Sequence, residues 1–288
     1  MRIKSFAKVN LGLEILGKRE DGYHEIRTLF QTINIFDILN IEKIPEDTIL
    51  LQGDDPLIPW NQENLIYRAA FLLKESMGIS EGVKIQVQKK IPHGKGLGGG
   101  SSNAAMTLFA LNKLWALGLS KANLMELGVT LGSDVPYFFE GGLCMGKGRG
   151  DIITPVQDLP SFICILCFPP FPVMTADIYS RISATLTSED KDSKIIRFFR
   201  EKELGILENS LEETVFRIYP QLRNTKRRFR DLGAILTLVS GTGSVVFGVF
   251  FDREKAERAL RILRRRESAV IVETISRERY RGDMIAGV

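Results

Sequence analysis

Residues 2–16 alternate apolar and polar side chains well enough to predict a strand, with a more irregular stretch starting at Phe6. Glu20-Asp21-Gly22 is a turn signal, and 25–42 reads as further strand pairs. Over 63–76, Leu65, Ala69, Leu72 and Leu73 share one side of a 3.6-residue period and predict a helix. The alternation of Val83, Ile85 and Val87 returns the chain to a strand over 83–89. A glycine-rich stretch at 94–100 then leads into a helix over 103–117, capped by Ser101 or Ser102, and a second helix over 121–131. Pro155 and Pro160 bracket a short link, which predicts a boundary and two domains, 1–157 and 158–288. Beyond it come a strand (162–168), a proline-rich loop (169–172), a helical stretch from 175 and a long helical region at 211–231. A strand (234–239), a turn (240–244), a strand (245–251), a helix (253–266) and a strand (269–275) complete the order. Strands with helices on one face make an α+β second half, compatible with a ferredoxin-like arrangement.

Composition narrows the class. The 288 residues, 44% hydrophobic and 26% charged, are ordinary for a globular protein with a sizeable core. Three cysteines, Cys144, Cys164 and Cys167, are too few for a disulfide framework. An offset of three on a strand sends Cys164 and Cys167 to opposite faces, as expected of core thiols rather than a redox pair. With no secretory signal and no apolar run of membrane-spanning length, the expectation is a cytoplasmic protein without a membrane partner. The net charge of +4 is uneven, with Lys226-Arg227-Arg228 and Arg264-Arg265-Arg266 in its basic part. Ala256, Ala259, Leu260 and Leu263 recur at helical spacing among these charges, so they read as a solvated helix face rather than a nucleic-acid surface.

The strongest chemical signal is Ile91-Pro92-His93-Gly94-Lys95-Gly96-Leu97-Gly98-Gly99-Gly100-Ser101-Ser102. Without Cβ atoms, such a loop can turn several backbone N–H groups toward one point. It runs into a helix N-terminus, where unpaired N–H groups favour an anion, so it reads as a phosphate cradle. Gly94, Gly96 and Gly99 also satisfy G-x-G-x-x-G, but the second strand and acidic residue of a dinucleotide fold do not follow. Gly141 to Gly148 approximates a P-loop, yet lacks the Ser/Thr and the following helix.

The segment Pro92 to Ala105 resembles the central motif of the GHMP kinases. Ala7-Lys8-Val9-Asn10-Leu11 resembles their N-terminal motif, and Ser240-Gly241-Thr242-Gly243-Ser244 their third. Asp21-Gly22-Tyr23-His24, Leu29-Phe30-Gln31, Glu63-Asn64-Leu65 and Leu131 to Pro136 point to the branch that phosphorylates a cytidyl diphosphate alcohol in isoprenoid precursor synthesis. The resemblance implies a two-domain GHMP kinase fold, with an N-terminal ATP-binding domain and a C-terminal ferredoxin-like substrate domain. It implies ATP and Mg²⁺, a small-molecule acceptor, and a monomer or weak homodimer. It makes Lys8 and Asp134 catalytic, although by residue type alone Lys8 is an ordinary surface lysine and Asp134 a turn cap. Pro92, Gly94, Lys95, Gly96, Leu97, Gly98, Gly99, Gly100, Ser101, Ser102 and Asn64 are expected on ATP, with Ser101 or Ser102 as a possible Mg²⁺ contact. Asn10, Tyr23, His24, Thr175, Tyr179, Gly241, Thr242 and Gly243 are expected on the acceptor. Tyr23 would stack on the base, His24 would bond its edge and Tyr179 would close the opposite face. Another GHMP kinase, acting on mevalonate, homoserine or a sugar, is the alternative; a silent ATP-binding sensor and a nucleic-acid binder are the readings from other classes.

Overall fold

The computed structural model describes residues 1–182 and 193–285. Two long strands, β1 (Arg2–Lys18) and β2 (His24–Ile44), pair antiparallel through the turn at Asp21-Gly22. The pairing shifts register at Phe6/Ala7, Asn10/Gly12 and Ile15/Gly17. The first shift leaves Asn34 and Ile35 of β2 unpaired with β1, and the other two each place one extra residue, Leu11 and Leu16, in β1 as bulges. Ile3 and Phe6 enter one core, while Ala7, Val9 and Leu11 enter a second. The expected strand pairs over 25–42 are one continuous strand, because β2 passes those register shifts without breaking.

The first sheet adds β3 (Ile49–Gly53), β4 (Gly82–Gln88), β5 (Leu143–Lys147) and β6 (Ile152–Pro155), in the order β3-β4-β2-β5-β6 with β1 on β2. Helices α1 (Leu65–Met77), α2 (Gly99–Leu114) and α3 (Lys121–Leu131) pack its core. α2 starts at Gly99, four residues before the expected position, with Gly98 in the left-handed region at its N-terminus. Glycines that read as loop are therefore the first helical turn. The second sheet is antiparallel: β7 (Ile163–Phe168), β8 (Leu236–Val239), β9 (Val246–Phe250) and β10 (Ser268–Glu273), in the order β10-β7-β9-β8. That is the ferredoxin-like order. Cys164 and Cys167 enter different cores from the two faces of β7.

Short helices α4 (Thr175–Tyr179) and α5 (Lys194–Glu201) precede the region expected as one long helix. That region is divided into α6 (Glu212–Ile218) and α7 (Pro220–Asp231), because Pro220 cannot continue the first helix and suits the start of the second. α8 (Arg253–Leu263) buries Ala256, Ala259, Leu260 and Leu263. Its charged face carries ion pairs such as Arg253–Glu273 and Arg258–Glu254. The last helix, α9 (Arg277–Met284), returns to the first layer, where Tyr280 packs against Phe6 and donates to the Phe138 carbonyl. No helix of the described residues is long and apolar enough to cross a membrane.

Candidate active site

The glycine loop joins β4 to α2. Gly94, Gly96 and Gly98 alternate into the left-handed region at φ of 68°, 78° and 70°. At Gly96 the glycine is obligatory, because an added Cβ would stand 2.2 Å from the Ser240 carbonyl oxygen. The loop is anchored on both sides. Lys8 N–H donates to the Leu97 carbonyl at 3.0 Å, and Ser240 Oγ donates to the Gly96 carbonyl at 2.9 Å. Its entry is held by Asp37, whose buried carboxylate accepts from the Lys90 and Ile91 N–H groups at 2.7 and 2.9 Å and pairs with Lys89. No side chain caps α2, whose first turn leaves N–H groups open at Gly99 and Gly100.

A cavity of about 310 Å³ lies on one side of this loop. Pro92, Gly94, Lys95 and Gly96 through Ser101 line it, with Asn64, Trp60 and Ile58 beyond them. Asn64 also caps α1, accepting from Ile66 N–H and donating to the Pro59 carbonyl, both at 2.9 Å. The Lys95 ammonium is held by the Pro169 and Phe171 carbonyls at 2.6 and 2.8 Å, and burial lowers its pKa. Lys95 therefore ties the loop to the proline-rich segment. The two serines diverge. Ser102 is buried and accepts from Ser5 Oγ at 2.7 Å, whereas Ser101 faces the cavity.

A larger cleft of about 930 Å³ opens on the other side, and Gly96, Gly98 and Ser101 border both spaces. Lys8 lies at the shared wall, its side chain only 4% exposed, with Nζ 3.2 Å from Asp134 Oδ2 and 2.7 Å from Asn10 Oδ1. A buried lysine requires such partners. Asn10 in turn donates to Thr28 Oγ1 at 2.8 Å, which fixes its amide. Asp134 follows α3 in the turn closed by Val135 N–H on the Gly132 carbonyl at 3.1 Å. Its carboxylate pairs with Lys8, and among the described residues it caps no backbone N–H.

Tyr23 and His24 line the same cleft, and the Tyr179 ring stands 5.3 Å from that of His24, tilted by 37°. Tyr23 is 55% exposed. Burial and the charge of Lys18 lower the His24 pKa, so its imidazole is neutral at neutral pH and offers one donor and one acceptor. Burial, reinforced by the charge of Asp134, raises the Tyr179 pKa and keeps its phenol protonated. Thr175 and Thr242 place their hydroxyls 3.1 Å apart at the cleft wall beside Gly241. Gly243 lies behind that wall, its carbonyl against Gly96.

Two contributors were not anticipated. Asn209 donates to the Val239 and Gly241 carbonyls at 2.9 and 2.7 Å and holds the third loop in place. Arg149, at the β5–β6 turn, lies with Cζ 4.9 Å from the Tyr23 ring centroid. Nothing local in the sequence marks Asn209; Arg149 directly follows the Gly146-Lys147-Gly148 run that failed as a P-loop. Among the described residues no group of three or more His, Cys, Asp or Glu side chains is placed to hold a metal ion.

Family models for the GHMP kinases N terminal domain and the GHMP kinases C terminal match residues 64–142 and 192–269. The 4-diphosphocytidyl-2-C-methyl-D-erythritol kinase of Alkaliphilus metalliredigens is 38% identical, over 90% of this chain and 91% of its own length. That of Geobacillus kaustophilus is 39% identical, over 92% and 93%. A crystal structure of 4-(cytidine 5'-diphospho)-2C-methyl-D-erythritol kinase superposes with a TM-score of 0.81 at 36% identity, covering 95% of this chain and 99% of that one. Mevalonate kinase of Methanococcus jannaschii, 17% identical with a TM-score of 0.73 over 96% and 98%, shares the fold. With the motifs, the two-layer fold and this coverage in agreement, the chain belongs to the GHMP kinases, in the family of the 4-diphosphocytidyl-2-C-methyl-D-erythritol kinases.

Proposed function

We propose that the chain transfers the γ-phosphoryl group of ATP to the 2-hydroxyl of 4-diphosphocytidyl-2-C-methyl-D-erythritol, in the non-mevalonate supply of isoprenoid precursors. The observation that carries this reading is that two cavities of different character meet at Gly96, Gly98 and Ser101. Phosphoryl transfer needs chiefly positioning and charge neutralisation, and such a wall brings donor and acceptor together in line. ATP occupies the smaller cavity, its phosphates on the backbone N–H groups of the glycine loop and the first turn of α2.

The acceptor occupies the larger cleft, with its base among Tyr23, His24 and Tyr179 and its hydroxyl at Asp134. Asp134 accepts the hydroxyl proton as the new oxygen–phosphorus bond forms and ADP leaves with the electrons of the broken bond. Lys8, 3.2 Å away, orients that carboxylate and is the cation available to the transferring group. The Ser101 hydroxyl on the shared wall and the Asp134 carboxylate in the larger cleft are hard oxygen donors, which suits Mg²⁺ bound mainly by ATP phosphates and water and neutralising their charge. Asn10 holds Lys8, while Thr175, Thr242 and Gly241 shape the cleft around the acceptor. We also read the chain as a cytoplasmic monomer or weak homodimer divided at 157/158, with α9 packed back on the first layer.

The test is ATP turnover with the cytidyl diphosphate alcohol beside mevalonate, homoserine and galactose. Turnover restricted to the cytidyl substrate is expected. Faster turnover of any of the other three overturns the assignment.

A further inference from the structure

We infer that Arg149 grips the diphosphate of the cytidyl acceptor, a role that rests on the proposed reading of the larger cleft. A cytidine diphosphate alcohol carries its two phosphates between the base and the reacting alcohol. The cleft has the base-stacking candidates at one place and the Lys8–Asp134 pair at another, so the phosphates fall between them. Three permanently basic side chains line it: Lys8, Lys18 and Arg149. Lys8 is committed to Asp134 and Asn10. Lys18 is a flexible, hydrated point charge on the exposed rim.

Arg149 is different because its surroundings already fix it. It sits between Gly148 and Gly150, whose φ angles of 69° and 94° make the tight β5–β6 turn. That turn is pinned to β2 just beyond the Tyr23-His24 pair. Gly148 N–H donates to Glu25 Oε1 at 3.0 Å, and Ile26 N–H to the Gly148 carbonyl at 2.8 Å. Asp151 accepts from the Arg149 backbone N–H at 2.9 Å and from Nη2 at 3.3 Å. The guanidinium lies over the Tyr23 ring. It is thus held by Asp151 and Tyr23, while Nε and Nη1 meet no protein acceptor among the described residues. A planar fork with open N–H groups beside the base platform matches two phosphate oxygens, and its restricted motion lowers the ordering cost on binding. This also gives the glycine-rich run at 146–150 a use: it folds tightly enough to aim an arginine.

The discriminating experiment is calorimetric titration of CDP and of cytidine into the parent, Arg149→Met and Arg149→Lys, with melting temperatures as the folding control. The parent should bind CDP more tightly than cytidine. Arg149→Met should weaken CDP by about 10- to 100-fold while changing cytidine by less than about threefold. Arg149→Lys should fall between, since it keeps the charge and loses the fork. Should Arg149→Met melt early, Arg149→Lys carries the comparison through the same selective loss of CDP. Equal weakening of CDP and cytidine would make Arg149 only a brace for Tyr23 and overturn the proposal, as would unchanged CDP affinity. A parent that binds neither compound sinks the cytidyl reading together with this one, whereas a parent that binds both with Arg149→Met unaltered removes only the Arg149 assignment.

Discussion

The cavity on the near side of the glycine loop is walled largely by backbone, and the cleft on the far side by side chains. In the first, one continuous stretch from Pro92 to Ser101 supplies most of the surface. In the second, Lys8 and Asn10 come from β1, Tyr23 from the turn before β2, His24 from the start of β2, Asp134 from beyond α3, Arg149 from a hairpin, and Tyr179 and Thr242 from the second layer. On the proposed reading the first cavity holds ATP, whose phosphates backbone N–H groups bind whatever is attached to them. Selectivity for the acceptor has to reside in the dispersed set. Substitutions should therefore separate: loop glycines act on ATP, and cleft side chains act on the acceptor or the chemical step.

The largest effect is expected where the two halves join. Lys8→Met keeps the stem and removes the cation, and kcat should fall by about 10²–10⁴ with modest change in either KM. Combined with Asp134→Asn it should lose far less than the product of the single losses, because both act on one transition state. Multiplicative losses in steady-state kinetics would break that coupling.

Gly96→Ala comes next. It combines a left-handed φ with a Cβ against the Ser240 carbonyl, strain of roughly 2–4 kcal/mol that should weaken ATP binding by about 30- to 1000-fold. Gly100→Ala is the sharpening control. Its Cβ would meet only Leu65 Cδ1 at 3.5 Å, inside a helix, so ATP affinity by titration should stay within about threefold. If both variants weakened ATP equally, the backbone account of the cradle would fail.

Tyr23→Ala should raise the KM for the cytidyl acceptor by about 5- to 150-fold, the worth of one aromatic stack, and leave the KM for ATP unchanged. Parallel movement of the two constants would show that the ring is structural. The smallest effect concerns pH. The folded His24 takes up its proton at a lower pH than the unfolded imidazole, so stability is complete above the ordinary histidine value and declines as pH falls below it. Acceptor KM should be level above about pH 6.5 and rise below it, and His24→Gln should flatten the rise. A rise toward alkaline pH would reverse the sign and exclude a neutral imidazole.

The same contrast governs how much could be read from the sequence. The glycine loop that walls the smaller cavity was legible because its residues are contiguous and glycine leaves a local signature. Only the start of α2 was misplaced, since Gly99 and Gly100 look like loop until Gly98 is known to hold the left-handed turn. The ferredoxin-like order was readable from strand and helix periods. β3, the β5–β6 hairpin, α5 and α9 were not, being short or stabilised by packing from far along the chain, as with Tyr280 against Phe6. In the cleft, Lys8 and Asp134 stood out only through the family resemblance, because 125 intervening residues separate two groups 3.2 Å apart. Asn209 and Arg149 act through contacts that no local pattern encodes.

The measurement that bears most directly on the account is kcat of Asp134→Asn with saturating ATP and cytidyl diphosphate alcohol, alongside its melting temperature. Asparagine keeps the size and any capping ability but removes the base and the charge beside Lys8. A fall of about 10²–10⁴ in kcat at an unaltered fold is the predicted result. A folded variant within about threefold of the parent rate would contradict it, remove Asp134 from the chemical step and leave positioning on the glycine loop as the main source of catalysis.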